Sequence, residues 1–367
     1  MNRKRLTLLQ DLMTAENLDI LAINAGVDLE YFTGLIFHLS ERPAVLLIPS
    51  NGNPVFIFPE FEQEKAKQSD IDMELFPYPE DTGEWPKVFL QAANKIELDK
   101  KTIGVSPESM RFLEIELIQK AAKSSHVISA MQILKSLKIQ KDKEEIIAIR
   151  KAISIAEKAF QTLLPQIKAG ASEKFLANQL VIQLFTKGSE PDLPFNPIVA
   201  SGPNSANPHA VPGDRVLQPG DAIIIDWGAR CNGYVSDLTR SFLVGDENPE
   251  MVQVAAIVLR ANQAARAAAK AGVPASDVDK AARNIITKAG YGDAFTHRTG
   301  HGIGLSAHED PYISQTNPSP LKNGMVFTIE PGIYLPGKGG IRIEDNVKVT
   351  EGESETLSSF PREVKII

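Results

Sequence analysis

Apolar and polar positions fall into two regimes along the chain. Over the first third, short apolar runs alternate with stretches of helical character: LDILAI at 18–23, AVLLIPS at 44–50 and PVFIFP at 54–59 are strand-length. The last two are joined across Asn51-Gly52-Asn53, a turn signal. From Ser129 to Leu164 the sequence is dense in helix formers and charged on one side, with a break between Ile139 and Asp142. Beyond it, 251–272 predicts a long Ala-rich helix ending at Gly272, and 275–290 a second helix. Strand patterns return in GMVFTIEPGIY (324–334) and GIRIEDNVKVT (340–350). In the latter, alternation places Ile341, Ile343, Val347 and Val349 on one face and Arg342 and Glu344 on the other. Glu330 ends its apolar run just before Pro331, which cannot donate to a ladder.

The segment AIIIDWGARCNGYVSDLTRSF (222–242) raises the first chemical question, because Asp226 interrupts an apolar run. Asn232-Gly233 predicts a two-residue hairpin, since both residues tolerate positive φ. With Cys231 and Tyr234 closing the turn, Asp237 falls opposite Gly228 and shares a face with Asp226. The two acids are then diagonal neighbours, roughly 7 Å apart at most, and Gly228 is expected to leave the space between them open. An unpaired buried carboxylate is costly, whereas a pair can share a cation.

At 367 residues the chain is too long for one ordinary core and predicts two domains. A net charge of −7 with no basic run argues against nucleic acid as a partner. Apolar runs fall far short of the roughly 20 residues a membrane helix needs, and the first residues lack a signal-peptide pattern. One cysteine, Cys231, precludes an intrachain disulfide and fits a reducing compartment, so a cytoplasmic protein is expected.

Three of the six histidines, His297, His301 and His308, fall within HRTGHGIGLSAH, interleaved with Gly300, Gly302 and Gly304. Those glycines imply a close backbone approach. No G-x-G-x-x-G or glycine-lysine-serine pattern accompanies them, so nucleotide binding is rejected. Asp226, Asp237, His301, Glu330 and Glu344 form a set of hard oxygen donors with one imidazole, suited to two divalent ions such as manganese, cobalt or zinc. Four carboxylates balance two divalent cations, and paired metals activate water and stabilise the oxyanion its attack creates.

The stretches NPHA, IIIDWGARCNGYVSDLTRSF, HRTGHGIGLSAHEDP, MVFTIEPGIY and GIRIEDNVKVT resemble the five motifs of the pita-bread metallopeptidases, in particular the aminopeptidase P and prolidase branch. Residues 1–125 resemble a creatinase-type N-terminal domain. The resemblance implies an α/β (α+β) architecture: a creatinase-like domain at 1–125, a linker helix at 126–141 and a pita-bread catalytic domain at 142–367. It further implies that Asp226 and Asp237 bind one metal, that Asp237 and Glu344 bridge, and that His301 and Glu330 complete the second. Manganese is the ion most expected. Glu330 would relay the proton from water to the leaving nitrogen. His209 would face the substrate, His308 would steady the oxyanion, and Arg342 would orient Glu344 or sit near substrate. The implied reaction is hydrolysis of the bond before proline in dipeptides or at peptide N-termini, by a homodimer whose GLIFHLSERP loop brings His38 towards the partner's site.

Departures from the pattern are Ser306 and Ala307, where relatives often carry an acid and a valine, and the absence of an arginine soon after His308. The second departure weakens a strict dipeptidase reading. The rival readings are an ectoine-hydrolase-like amidohydrolase, methionine removal, and a non-catalytic peptide-binding relative. All five ligand positions are filled, which opposes the last.

Overall fold

The computed structural model describes residues 2–367, which divide into two compact units at Lys138 and Ile139. In the first unit the apolar runs form strands because each is flanked by turn residues and is apolar on both faces. β1 (Ile20–Asn24), β2 (Val45–Pro49) and β3 (Val55–Pro59) are buried along their whole length. With β4 (Glu74–Tyr78), β5 (Thr102–Val105) and β6 (His126–Ser129) they make a six-stranded sheet ordered β4-β3-β2-β1-β5-β6. β2 and β3 pair antiparallel across the predicted turn, where Gly52 has φ +106°.

Residues 126–141 are not one linker helix. His126–Ser129 pair parallel to β5, with Val127 and Ile128 opposite Ile103 and Gly104, and only Met131–Lys138 is helical. The free edge beside β5 captures a short β-branched segment that the helix-rich neighbourhood masks in the sequence.

The second unit opens with a helix, Lys143–Leu163, whose start is fixed by a capping box between Asp142 and Glu145. A three-stranded antiparallel sheet holds β7 (Ile198–Ser201), β8 (Ala222–Trp227) and, after the hairpin strands β9 (Arg230–Cys231) and β10 (Tyr234–Val235), β11 (Leu238–Leu243). Tyr234 pairs with Cys231 and Thr239 with Asp226, so the predicted register holds through the whole hairpin. Trp227 anchors this sheet by stacking on Phe160 at 4.1 Å and donating to the Ala156 carbonyl at 2.9 Å.

A five-stranded sheet is ordered β13-β12-β14-β17-β18, comprising β12 (Gly300–Gly302), β13 (Glu309–Ile313), β14 (Val326–Ile329), β17 (Asp345–Lys348) and β18 (Glu355–Thr356). β15 (Gly332–Leu335) and β16 (Gly339–Arg342) form a hairpin beside it in sequence. The helices Pro249–Ala268 and Ala275–Lys288 supply Val254, Val258, Ala261 and Ala282 to a core shared with Phe327, Ile341, Ile343 and Val347. Alanine at the buried positions lets the helices pack closely on one another and on the strands. No helix among the described residues is long and apolar enough to cross a membrane.

Next to this core lies a buried ionic network. Asp345, fully buried, accepts from Arg240 at 3.0 Å, Arg362 at 2.7 Å, Ser358 at 2.8 Å and Asn262 at 3.1 Å. Burial pushes its carboxyl pKa up, but the two guanidiniums and these hydrogen bonds prevail and hold it below the ordinary value. A depressed native pKa means stability that is present above the unfolded value, about 3.9, and lost as pH falls through the native one. Arg240 is itself almost fully buried. Asp345→Asn should therefore destabilise this unit by roughly 3–5 kcal/mol, the cost of leaving a buried charge without its partner, and should flatten the acid limb of its stability profile. Urea unfolding read by Trp227 fluorescence in a Trp85→Phe background tests both; a variant within 1 kcal/mol of the parent, by the same order-of-magnitude standard, would refute it.

Candidate metal centre and cavity

Strand alternation and strand ends bring five predicted residues to one place. Asp226 lies near the end of β8 and Asp237 just before β11. Glu344 sits between β16 and β17, where its backbone N–H donates to the Thr239 carbonyl at 3.1 Å. His301 is central in β12, and Glu330 follows β14. One donor atom each from Asp237, His301 and Glu344 lie within 4.8 Å of one another. His301 Nε2 stands 3.3 Å from Glu330 Oε1 and 3.6 Å from Asp237 Oδ2.

Neighbouring polar groups hold these residues in place. Thr239 donates to Glu344 Oε2 at 2.6 Å, and Asn346 exchanges hydrogen bonds with the Asp237 backbone. Asn262, fully buried, donates to the carbonyls of Ile329 at 3.1 Å and Ile343 at 3.2 Å, the residues preceding Glu330 and Glu344. Arg342 donates to Asp226 Oδ2 at 2.6 Å and to Thr239 Oγ1 at 3.0 Å. It thus meets Asp226 directly and Glu344 only through Thr239, which bonds both, and it also lines the cavity. Tyr334 accepts from Arg342 at 3.1 Å and bonds His297 Nε2 at 2.8 Å, while His297 Nδ1 meets the Arg298 carbonyl at 2.7 Å.

Gly228 does not open the space between the two aspartates. A Cβ there would lie 2.2 Å from the Ser236 carbonyl and 2.6 Å from Pro194 Cγ, so glycine is required for close packing of the neighbouring loop. The glycines around His301 serve the same end: a Cβ at Gly300 would stand 1.8 Å from the Thr328 carbonyl oxygen.

Burial pushes the carboxyls of Asp237 and Glu344 well above their ordinary range. Glu344, Asp226 and Glu330 add to the shift at Asp237, and Glu330 and Asp226 to that at Glu344. Asp226 is also raised by burial, although Arg342 opposes it. For Glu330, burial is overcome by the hydrogen bond and charge of His301, and its pKa falls to about 2. Among the described residues, Asp226 Oδ1 and Asp237 Oδ1 are buried oxygens with no hydrogen-bond partner. Crowded acids that resist ionisation, with two oxygens unsatisfied, are what a set of cation ligands should look like in protein alone. The donor set fits divalent metal.

These residues floor a cavity of about 430 Å³, walled by Phe195, Asn196, Ile198, His209, Arg298 and His308. His209 is exposed at its edge. The His308 ring lies 4.1 Å from that of His301, and burial lowers its pKa to about 4, so the imidazole is neutral around pH 7. Arg298 lies over the Tyr312 ring at 4.2 Å and, among the described residues, forms no ion pair. His38 is not among these residues; it is exposed in the N-terminal unit. Phe195, Arg298, Tyr334 and Asn262 escaped the sequence reading. For Arg298 a signal existed, since it stands three residues before His301.

Known proteins share this arrangement of domains and fold. Residues 5–139 match the Creatinase/Prolidase N-terminal domain and residues 147–351 match Metallopeptidase family M24. The Xaa-Pro dipeptidase of Pyrococcus furiosus is 36% identical over 363 residues, 99% of each chain. Prolidase from Thermococcus sibiricus superposes with a TM-score of 0.94 at 35% identity, covering 100% of this chain and 99% of that one. The X-Pro aminopeptidase of Thermotoga maritima gives 0.87 at 35% identity, with coverage of 100% and 99%. The chain belongs to metallopeptidase family M24.

Proposed function

We propose that the protein hydrolyses the bond before proline, acting on Xaa-Pro dipeptides. The observation that carries this reading is the cavity floor of four carboxylates and one imidazole with two unsatisfied oxygens, in a chain similar throughout its length to an Xaa-Pro dipeptidase. Proline's nitrogen carries no hydrogen and its ring fixes φ, so its peptides need a dedicated pocket. Asp226, Asp237, His301, Glu330 and Glu344 would hold two divalent ions. Oxygen-rich donors favour manganese, with cobalt or zinc as substitutes. Bound there, the ions would supply Lewis acidity and a water acidic enough to attack at neutral pH.

The protein's own groups divide the remaining work. Glu330 takes the proton of the attacking water at a carboxylate oxygen and returns it to the leaving nitrogen as the C–N bond breaks. His308, neutral, donates a hydrogen bond to the developing oxyanion. His209 contacts the substrate from the cavity edge. Arg342 holds Asp226 directly and Glu344 through Thr239, and it lines the cavity beside the substrate. We assign the protein to the cytoplasm as a homodimer, with His38 of one protomer approaching the partner's cavity.

Arg298 favours dipeptides over longer chains. The arginine missing soon after His308 in sequence has a counterpart in space, because Arg298 lies on Tyr312 of that same segment and lines the cavity with a guanidinium that has no ion-pair partner among the described residues. A free α-carboxylate one residue beyond the scissile bond would pair with it. Arg298→Ala should raise KM for Xaa-Pro about 10- to 100-fold, the loss of a charged hydrogen bond worth about 1.5–3 kcal/mol, and leave kcat nearly unchanged. With Xaa-Pro-amide the same variant should differ little from the parent. Equal losses on the two substrates would contradict the carboxylate assignment.

His308 and His301 separate in one experiment. His308→Ala should lower kcat roughly 100-fold, about 2.7 kcal/mol, with metal content unchanged at about two ions per chain. His301→Ala should lose metal and activity together. Elemental analysis beside kcat decides it: metal loss in His308→Ala, or full kcat there, would show that the two roles are misassigned.

A further inference from the structure

Two of the segments that wall the cavity, unlike the strands and strand ends of its floor, have no regular structure. One is the stretch 189–196, which delivers Phe195 and Asn196; the other is the loop 303–308 between β12 and β13, which delivers His308. Arg230, in the hairpin strand β9, touches both. Its Nε donates to the Asp192 carbonyl at 2.7 Å, and its Nη1 donates to the carbonyls of Gly233 at 2.7 Å and Leu305 at 3.1 Å. Asp192 stands three residues before Phe195 and Leu305 three residues before His308.

The surroundings make the tie stiff. Arg230's own N–H donates to Ser189 Oγ at 3.0 Å and its carbonyl accepts from Glu190 at 3.0 Å, while the Glu190 carboxylate accepts from Asn232 and Gly233 at the hairpin tip. On the other side, Val235 N–H donates to the Gly304 carbonyl at 2.9 Å. Phe195 in turn packs over Gly228, where a Cβ would meet its ring at 3.3 Å. The Arg230 side chain is only 13% exposed, yet the carboxylate it pairs with among the described residues, Asp192, is 3.7 Å away and 74% exposed. Such an ion pair contributes little. A mostly buried guanidinium spent on carbonyls of three separate stretches has a geometric use: its planar fork fixes their separation, which a lysine's single ammonium cannot do.

We propose that Arg230 is a positioning residue for specificity, holding the 189–196 wall and the His308 loop at the spacing that a proline ring requires. The proposal rests on the Xaa-Pro reading for its kinetic arm and on backbone contacts alone for its structural arm.

The test compares the metal-loaded parent with Arg230→Met, Arg230→Lys and Asp192→Ala. Hydrogen exchange in peptides covering 191–197 and 303–309 should quicken together in Arg230→Met, by about tenfold or more in each, with metal content unchanged. The preference in kcat/KM for Xaa-Pro over Xaa-Ala should fall by about tenfold, the scale of a shaped pocket, chiefly through KM. Arg230→Lys should fall between parent and Arg230→Met on both readouts, and it carries the test if the methionine variant does not fold. Asp192→Ala should match the parent, because the tie is to the backbone. Faster exchange in one segment only, unchanged selectivity in Arg230→Met, or an Asp192→Ala loss as large as that of Arg230→Met would overturn the proposal. A parent enzyme without preference for Xaa-Pro would instead defeat the substrate reading, and the paired exchange result would then decide the tie on its own.

Discussion

Four carboxylates held around one small cavity, out of bulk water, are the constraint to which the C-terminal unit is built. Left alone they repel, and burial raises three of them above the ordinary carboxylate range. Nothing in the acids themselves keeps them together, so the holding must come from behind. Asn262 does this from the centre of a core helix, bonding the carbonyls immediately before Glu330 and Glu344. Thr239 and Asn346 do it from strands, and Arg342 does it by pairing with Asp226. Preorganisation of this kind spares the site a reorganisation cost when cations enter.

Glu344 and Asp345 show how finely the partners decide the outcome. They are adjacent and equally buried, yet strand alternation sends one into the cavity among other acids and the other into a cluster of arginines. The pKa of the first rises well above its usual value, and that of the second falls below. Burial alone therefore predicts neither the charge state nor the role of a buried acid. The histidines also differ in what they meet: His301 faces two carboxylates, His308 the ring of His301, and His297 a tyrosine hydroxyl.

Features set by local chemistry could be read from the chain. Asn232-Gly233 dictated the hairpin, and its register brought Asp226 and Asp237 to one face; alternation sorted Arg342 and Glu344 from the isoleucines. What escaped depended on contacts distant in sequence. Nothing near Asn262 tells that its amide will meet residues 67 and 81 positions away. Arg342 shares a face with Glu344, as alternation implies, but its direct bond to Asp226 of β8 depends on a strand more than a hundred residues away. Gly228 looked like a gap between acids, whereas the space is filled by a loop whose course no local pattern reveals. His126–Ser129 became a strand only because β5 offered an open edge.

The floor and walls of the cavity differ in how they are made. Every acid sits within or immediately beside a strand, backed by the core, so a displacement of one would disturb packing across the unit. Phe195, Asn196, His209, Arg298 and His308 sit in loops or at strand margins, where substitutions shift a side chain without repacking the core. Hydrolysis of an amide by activated water places the same demand on the floor whatever the peptide, while the choice of peptide falls on the walls. Loops can choose only if they are held. In this chain the holding passes through a few polar ties, among them Arg230 to three carbonyls and Lys141 to Glu309 beside His308, so selectivity depends on residues that need not touch substrate.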